Sequence, residues 1–189
     1  MRVMTTSVHA VADEVRQRIP GVGNLKLHKL LYYAQGHHLA TFGAPLFGDT
    51  ISAWDMGPVV GTLWFAERND GPHSHTDGGL TEAELNTIAY TVSRYGGLTG
   101  RDLIRLSHGE PPWQEANANR PAGMSVRIEQ DAMRRYFSHL ADEDADEPIL
   151  DALLIEQFLA TVNPSQAMVR SPHPDTPEDI GARLTALLS

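Results

Sequence analysis

The chain has 189 residues, a net charge of −9, 41% hydrophobic and 21% charged residues, and no cysteine. These proportions favour a globular chain over a disordered one and exclude a disulfide framework or a thiolate metal site. The charge is uneven: residues 141–189 carry 2 Lys/Arg against 10 Asp/Glu, while residues 1–140 are near neutral, so the footprint of a general nucleic-acid binder is missing.

Thr5, Thr6 and Ser7 can cap a first helix, in which Val8, Val11, Ala12, Val15 and Ile19 fall on one face. Pro20-Gly21-Val22-Gly23 breaks it. Asn24 is placed to cap a second helix reaching about Thr41, with a core stripe of Leu27, Leu30, Leu31, Ala34 and His38. Gly43-Ala44-Pro45 reads as a turn, and Ile51 to Trp54 as a short strand or extended piece. Gly57-Pro58 predicts a helix start, with the helix running from Val59 to about Arg68. A polar loop follows over 69–79. Thr81 and Glu84 have capping-box spacing, Leu80 and Leu85 staple spacing, and Leu85, Ile88, Ala89, Val92 and Tyr95 make a helix face stopped at Gly96-Gly97.

Thr99 caps a short helix carrying Leu103, Ile104 and Leu106, and Pro111-Pro112-Trp113 opens another. A loop at 120–123 precedes a helix from about Glu129 to Leu140, with Met133, Tyr136, Phe137 and Leu140 on one face. Residues 142–147 read as an acidic linker. Residues 149–162 predict an apolar helix whose densest face holds Leu150, Leu153, Leu154 and Phe158, and a last helix follows Thr176-Pro177. The apolar stretch contains Asp151 and Glu156 and is shorter than the roughly 20 residues a bilayer requires. No signal peptide is visible in the opening residues, and a cytoplasmic protein is expected. The fold class is therefore mainly α: a compact multi-helix single domain with at most two or three short strands. Residues 1–140 form the main body, and 141–189 an acidic linker with C-terminal helices.

Candidate chemistry is sparse. Nine histidines invite a metal hypothesis. His37 and His38 diverge by about 100° on a helix, however, and His38 continues the core stripe. His73 and His75 can chelate only weakly without a third ligand. Ser107, His108 and Glu110 are too close in sequence to build a converging triad by themselves; Ser107 and Glu110 suit helix-end backbone groups, while His108 and Trp113 suit packing. Gly21-Val22-Gly23 lacks the rest of a dinucleotide fingerprint. No catalytic residue, metal site or cofactor is assigned. Trp54 beside Gly57-Pro58 is either a core anchor or an exposed hot spot. Tyr32 and Tyr33 point to different helix faces, which places one of them nearer the surface. Trp64 and Phe65 are expected to pack, and the 149–162 helix to finish the core or to dock on a partner or second copy.

Two blocks of the chain stand out together. The first, over 25–64, holds Lys26, Leu27, Lys29, Leu30, Leu31, Tyr32, Tyr33, Ala34, Gln35, Gly36, Leu39, Gly43, Pro45, Leu46, Phe47, Ala53, Trp54, Gly57, Pro58 and Val59. The second holds Leu103, Leu106, Ser107, His108, Glu110, Pro112 and Trp113. With these residues the two blocks resemble the SocA-like Panacea domain of bacterial and phage antitoxins. His28 stands where the pattern has Gln, and His37 where Trp is common. The resemblance implies a non-enzymatic antitoxin that neutralises a cognate toxin, encoded by the adjacent gene, through protein–protein contact or as a proteolytic adaptor. The residues assigned to partner binding are Tyr32, Tyr33, His37, Trp54, Asp55, Glu110, Trp113, Leu154 and Phe158. The acidic C-terminal segment suits a partner with a basic surface. Nucleic acid and membrane are not expected as partners, and a homo-oligomer is open. The alternatives are a histidine-metal-dependent hydrolase, a DNA-binding autoregulator, and an adaptor with no toxin.

Overall fold

The structure, a computed structural model, describes residues 6–69 and 79–146. In chain order they form α1 (Val8–Arg18), α2 (Asn24–Phe42), β1 (Ile51–Trp54), β2 (Gly57–Val60), α3 (Gly61–Arg68), α4 (Glu82–Tyr95), α5 (Gly100–Gly109), α6 (Pro111–Asn117), β3 (Val126–Arg127) and α7 (Gln130–Asp146). The architecture is mainly α, as the sequence predicts. The helices predicted over 149–162 and after Thr176 lie outside the described residues, with Leu154 and Phe158.

Every α2 residue from Leu27 to Leu39 is buried, and a helix covered on all sides has to run through the middle of its unit. It touches α1, α4, α5, α7 and β2. The predicted stripe of five residues was therefore too narrow: His28, Lys29, Gln35 and His37 are interior as well. Gly36 explains how α7 comes so close, since a Cβ there would fall 2.2 Å from the Phe137 ring. The amide of Gln35 ties the chain after the helix back onto it: its oxygen accepts from the N–H groups of Leu46 and Phe47, and its Nε2 donates to the Phe47 carbonyl.

The predicted helix ends hold with adjustments. Ser7 caps α1, but Gly23 rather than Asn24 is the cap residue of α2. Thr81 and Glu84 close the predicted capping box, and Thr99 closes a second one with Asp102. On α5, Leu106 is exposed and Ser107 takes the inward position. On α4, Thr87 and Thr91 join Ile88 and Tyr95 in the interior, while Leu85 and Ala89 are half-buried.

Gly57-Pro58 corrects the sequence reading most. The pair opens a strand, and the helix begins only at Gly61. Asp55 and Met56 make a two-residue turn between β1 and β2, and Gly57 sits at φ +93°, a backbone state that glycine adopts without cost. The sheet order is β2-β1-β3, all antiparallel, so β2 is an edge strand, where proline is tolerated. The two-residue β3 pairs with Ser52 and Ala53 and was not foreseen. The predicted acidic linker is helical through Asp146, continuing the helix that Met133 and Phe137 anchor in the core.

Candidate partner-binding surface

Beneath the hairpin, α2 presents polar side chains to strand groups that the sheet leaves unpaired. Pro58 faces Ala53 across the two-residue turn, a position that exchanges no ladder hydrogen bonds. Its carbonyl is therefore free, and the Lys29 Nζ donates to it at 2.9 Å. Two residues on, the outward N–H of Val60 donates to His28 Nδ1 at 3.3 Å, so the neutral ring carries its proton on Nε2. Lys29 is fully buried and no carboxylate bonds it among the described residues. Burial pulls its pKa from 10.5 down to about 7. Burial, and then the charges of Lys29 and Arg16, lower His28 to about 4.

A second interior cluster gathers four residues named from the sequence. Glu110, in the extended link between α5 and α6, accepts from the Tyr32 hydroxyl at 2.8 Å and the Tyr33 hydroxyl at 2.9 Å. Tyr33 stacks on Tyr95 at 4.0 Å, and the Tyr95 hydroxyl lies 3.0 Å from His37 Nε2. Burial pushes the Glu110 carboxyl up against the pull of its two phenol donors. Burial and that carboxylate hold Tyr32 and Tyr33 well above the ordinary phenol range.

Three expectations change here. Both tyrosines are buried, because α2 is enclosed on every side. Glu110 serves the tyrosines with its side chain and caps no helix end with it. His37 replaces a larger ring without leaving the interior. His38 is a buried, hydrogen-bonded histidine as predicted, with Nδ1 2.9 Å from the Thr87 hydroxyl. Trp113 is buried and stacks on His108 at 3.9 Å. Ser107 is buried, and its Oγ donates to the Ile104 carbonyl.

Trp54 and Asp55 reach the outside, at a cleft of about 570 Å³. Its walls come from the β1–β2 turn, from α3, and from residues 120–125. Trp54 and Trp64 pack edge-to-face at 5.3 Å, and Phe65 meets Trp64 at 5.0 Å. Met56, Phe65 and Met124 are 55%, 56% and 59% exposed around this aromatic floor. Exposed large apolar residues converging on one cleft are a marker of a protein contact site.

The cleft is braced from within. Trp54 Nε1 donates to Ser125 Oγ at 3.0 Å. The Arg120 side chain is only 6% exposed and donates to Asp55 Oδ1 at 2.5 Å, to the Met124 carbonyl and to Asn117 Oδ1. The hairpin tip and the 120–125 segment are thus locked together. Phe65 packs on Trp64, as expected, but leaves much of its ring exposed. Met56, Arg120, Met124 and Ser125 were not anticipated, since nothing local places 120–125 beside 54–65.

Among the described residues, no three His, Asp or Glu side chains are grouped to hold a metal, and no helix is long and apolar enough to cross a membrane. His73 and His75 lie outside the described residues.

The profile of the antitoxin SocA-like Panacea domain matches residues 27–114. Antitoxin SocA of Caulobacter vibrioides (strain NA1000 / CB15N) is 28% identical over 127 residues, covering 57% of this chain and 67% of that protein. No solved structure matches. Residues 27–114, the stretch similar to the antitoxin SocA-like Panacea domain, contain the enclosed helix, the hairpin, both capping boxes and the tyrosine–glutamate cluster.

Proposed function

We propose that the protein is a non-enzymatic antitoxin that neutralises a toxin by direct contact, and that the toxin docks in the cleft bounded by the β1–β2 turn, α3 and residues 120–125. The observation carrying this reading is the meeting of Met56, Phe65 and Met124, all exposed, over a braced aromatic floor. A surface held in shape before binding loses little side-chain freedom on docking, and Trp-rich patches supply most of the energy at protein contacts. Tyr32, Tyr33, His37, Glu110 and Trp113 then act as scaffold, while Trp54 and Asp55 remain as contact residues from those named in the sequence. The partner is the product of the adjacent gene, acting inside the cell.

Co-expression tests the proposal. The neighbouring gene product alone should arrest growth, and this chain should restore growth and co-purify with it. Phe65→Glu and Met124→Glu alter exposed side chains, so both variants should fold and both should lose rescue. A harmless neighbour, or folded variants that rescue as well as the parent, would remove the basis for the proposal.

A further inference from the structure

We infer that the anchor the partner inserts into this cleft is an arginine side chain. The inference rests on the cleft being the docking surface and adds the chemistry of its occupant.

Asp55 stands at the cleft edge with its side chain 65% exposed. One carboxylate oxygen is taken by Arg120 from below, and no described group bonds the other. A docking partner would strip water from that oxygen, and a desolvated carboxylate with an unused acceptor is costly. An aliphatic anchor would leave it so, and an acidic anchor would add like-charge repulsion. The anchor therefore has to bring a donor with positive charge.

The walls decide between the two basic side chains. Met56, Met124 and Phe65 offer an apolar lining suited to a methylene stem. Trp54 and Phe65 stand 6.5 Å apart at 66°, forming a corner of ring faces and edges. A guanidinium is planar, stacks on such faces and forks onto a carboxylate; an ammonium is a hydrated point charge that does neither. The protein already uses this contact within itself, because the Arg68 guanidinium lies 5.1 Å over the Trp64 ring. At longer range the net charge of −9 draws basic segments toward the molecule. The cleft also exceeds a single side chain in volume, so the arginine arrives with apolar neighbours against the methionines.

The test uses the full chain and three peptides, acetyl-Leu-Arg-Leu-amide and its citrulline and norleucine counterparts, followed by indole fluorescence at low salt. The arginine peptide should bind about tenfold or more tighter than the citrulline peptide, the size expected for a charge-assisted hydrogen bond. Asp55→Asn should erase that preference and Asp55→Glu should keep it, with thermal melts confirming that both fold. Equal binding of arginine and citrulline peptides, no binding by any of them, or a preference that survives Asp55→Asn would overturn the inference. Rescue from the neighbouring gene product separates the two levels. If Phe65→Glu loses rescue and Asp55→Asn keeps it, the cleft stands and the arginine falls. If both keep it, the cleft itself falls.

Discussion

Replacing Lys29 with methionine tests whether the amine beneath the hairpin is held in an apolar interior. Lys29 is fully buried, and burial alone lowers its pKa from 10.5 to about 7. In the unfolded chain the amine keeps its ordinary pKa. Between pH 7 and 10.5 the unfolded chain therefore holds a proton that the folded protein largely lacks, so stability rises with pH across this window. Below pH 7 both states are protonated and the cost of burying the charge is fully present. That cost is about 4 kcal/mol at pH 7 and about 2 kcal/mol at pH 9.

Methionine has a similar reach and no charge, so Lys29→Met removes that cost entirely. It also leaves the Pro58 carbonyl without its donor, which costs about 1–3 kcal/mol. The variant should be more stable than the parent by about 1–3 kcal/mol at pH 7, and the gap should shrink by about 2 kcal/mol at pH 9. Urea unfolding of both proteins at the two pH values measures this directly. Other titrating groups are common to both proteins and cancel in the difference. A gap that does not change with pH would show that Lys29 keeps its ordinary pKa when folded and that its surroundings are not apolar.

Glu110→Ala strands two buried phenols and should cost about 2–5 kcal/mol in chemical denaturation. Glu110→Gln keeps an acceptor and should stay within about 1 kcal/mol of the parent at neutral pH. Because burial raises the Glu110 pKa, the folded state holds its proton longer than the unfolded chain. The parent should therefore lose stability relative to Glu110→Gln as pH rises through and above the ordinary carboxylate range; equal slopes for the two proteins would contradict this. Gly36→Ala drives a methyl group into Phe137 and should destabilise by about 1–3 kcal/mol or more, with partial recovery when Phe137 is shortened to leucine. An unchanged melting temperature would mean that α7 does not press on α2 at this point. Thr99→Ala opens the second capping box and should cost about 1 kcal/mol in the same denaturation assay.

Elements governed by neighbours in sequence were legible, and those governed by distant contacts were not. Ser7, Thr81 and the α1 stripe follow from spacing within one or two turns, and all three appear as read. The Gly57-Pro58 reading failed because proline at a first helical position and proline on an edge strand have the same local pattern. Only the pairing with β1 separates them. The interior position of Lys29, His28 and His37 was hidden for a related reason. A polar residue reads as a surface residue unless the partner that satisfies it is known, and here the partners are 29, 32 and 58 residues away. The cleft has the same origin: its third wall is about 70 residues from its first.

The position of that third wall bears on which cleft residues can change without disturbing the scaffold. The family match ends at residue 114, while Arg120, Met124 and Ser125 lie beyond it. A substitution at Met124 would change the lining of the cleft without touching α2, the hairpin or the tyrosine–glutamate cluster. Met56 offers the same freedom from within the matched stretch, because it occupies a turn position and pairs with no strand. Trp54 is more constrained, since its ring is tied to Ser125 and packed on Trp64. The rigid elements therefore fix where the aromatic floor lies, and under the proposed docking the exposed methionines and Asp55 would choose what it accepts. On this division, exchanging Met56, Asp55 and Met124 between this chain and a relative should move partner preference while leaving stability nearly unchanged. Exchanging Lys29 or Glu110 should do the reverse. Paired rescue and denaturation measurements on such exchanges would test the division, and a preference that followed Lys29 or Glu110 would contradict it.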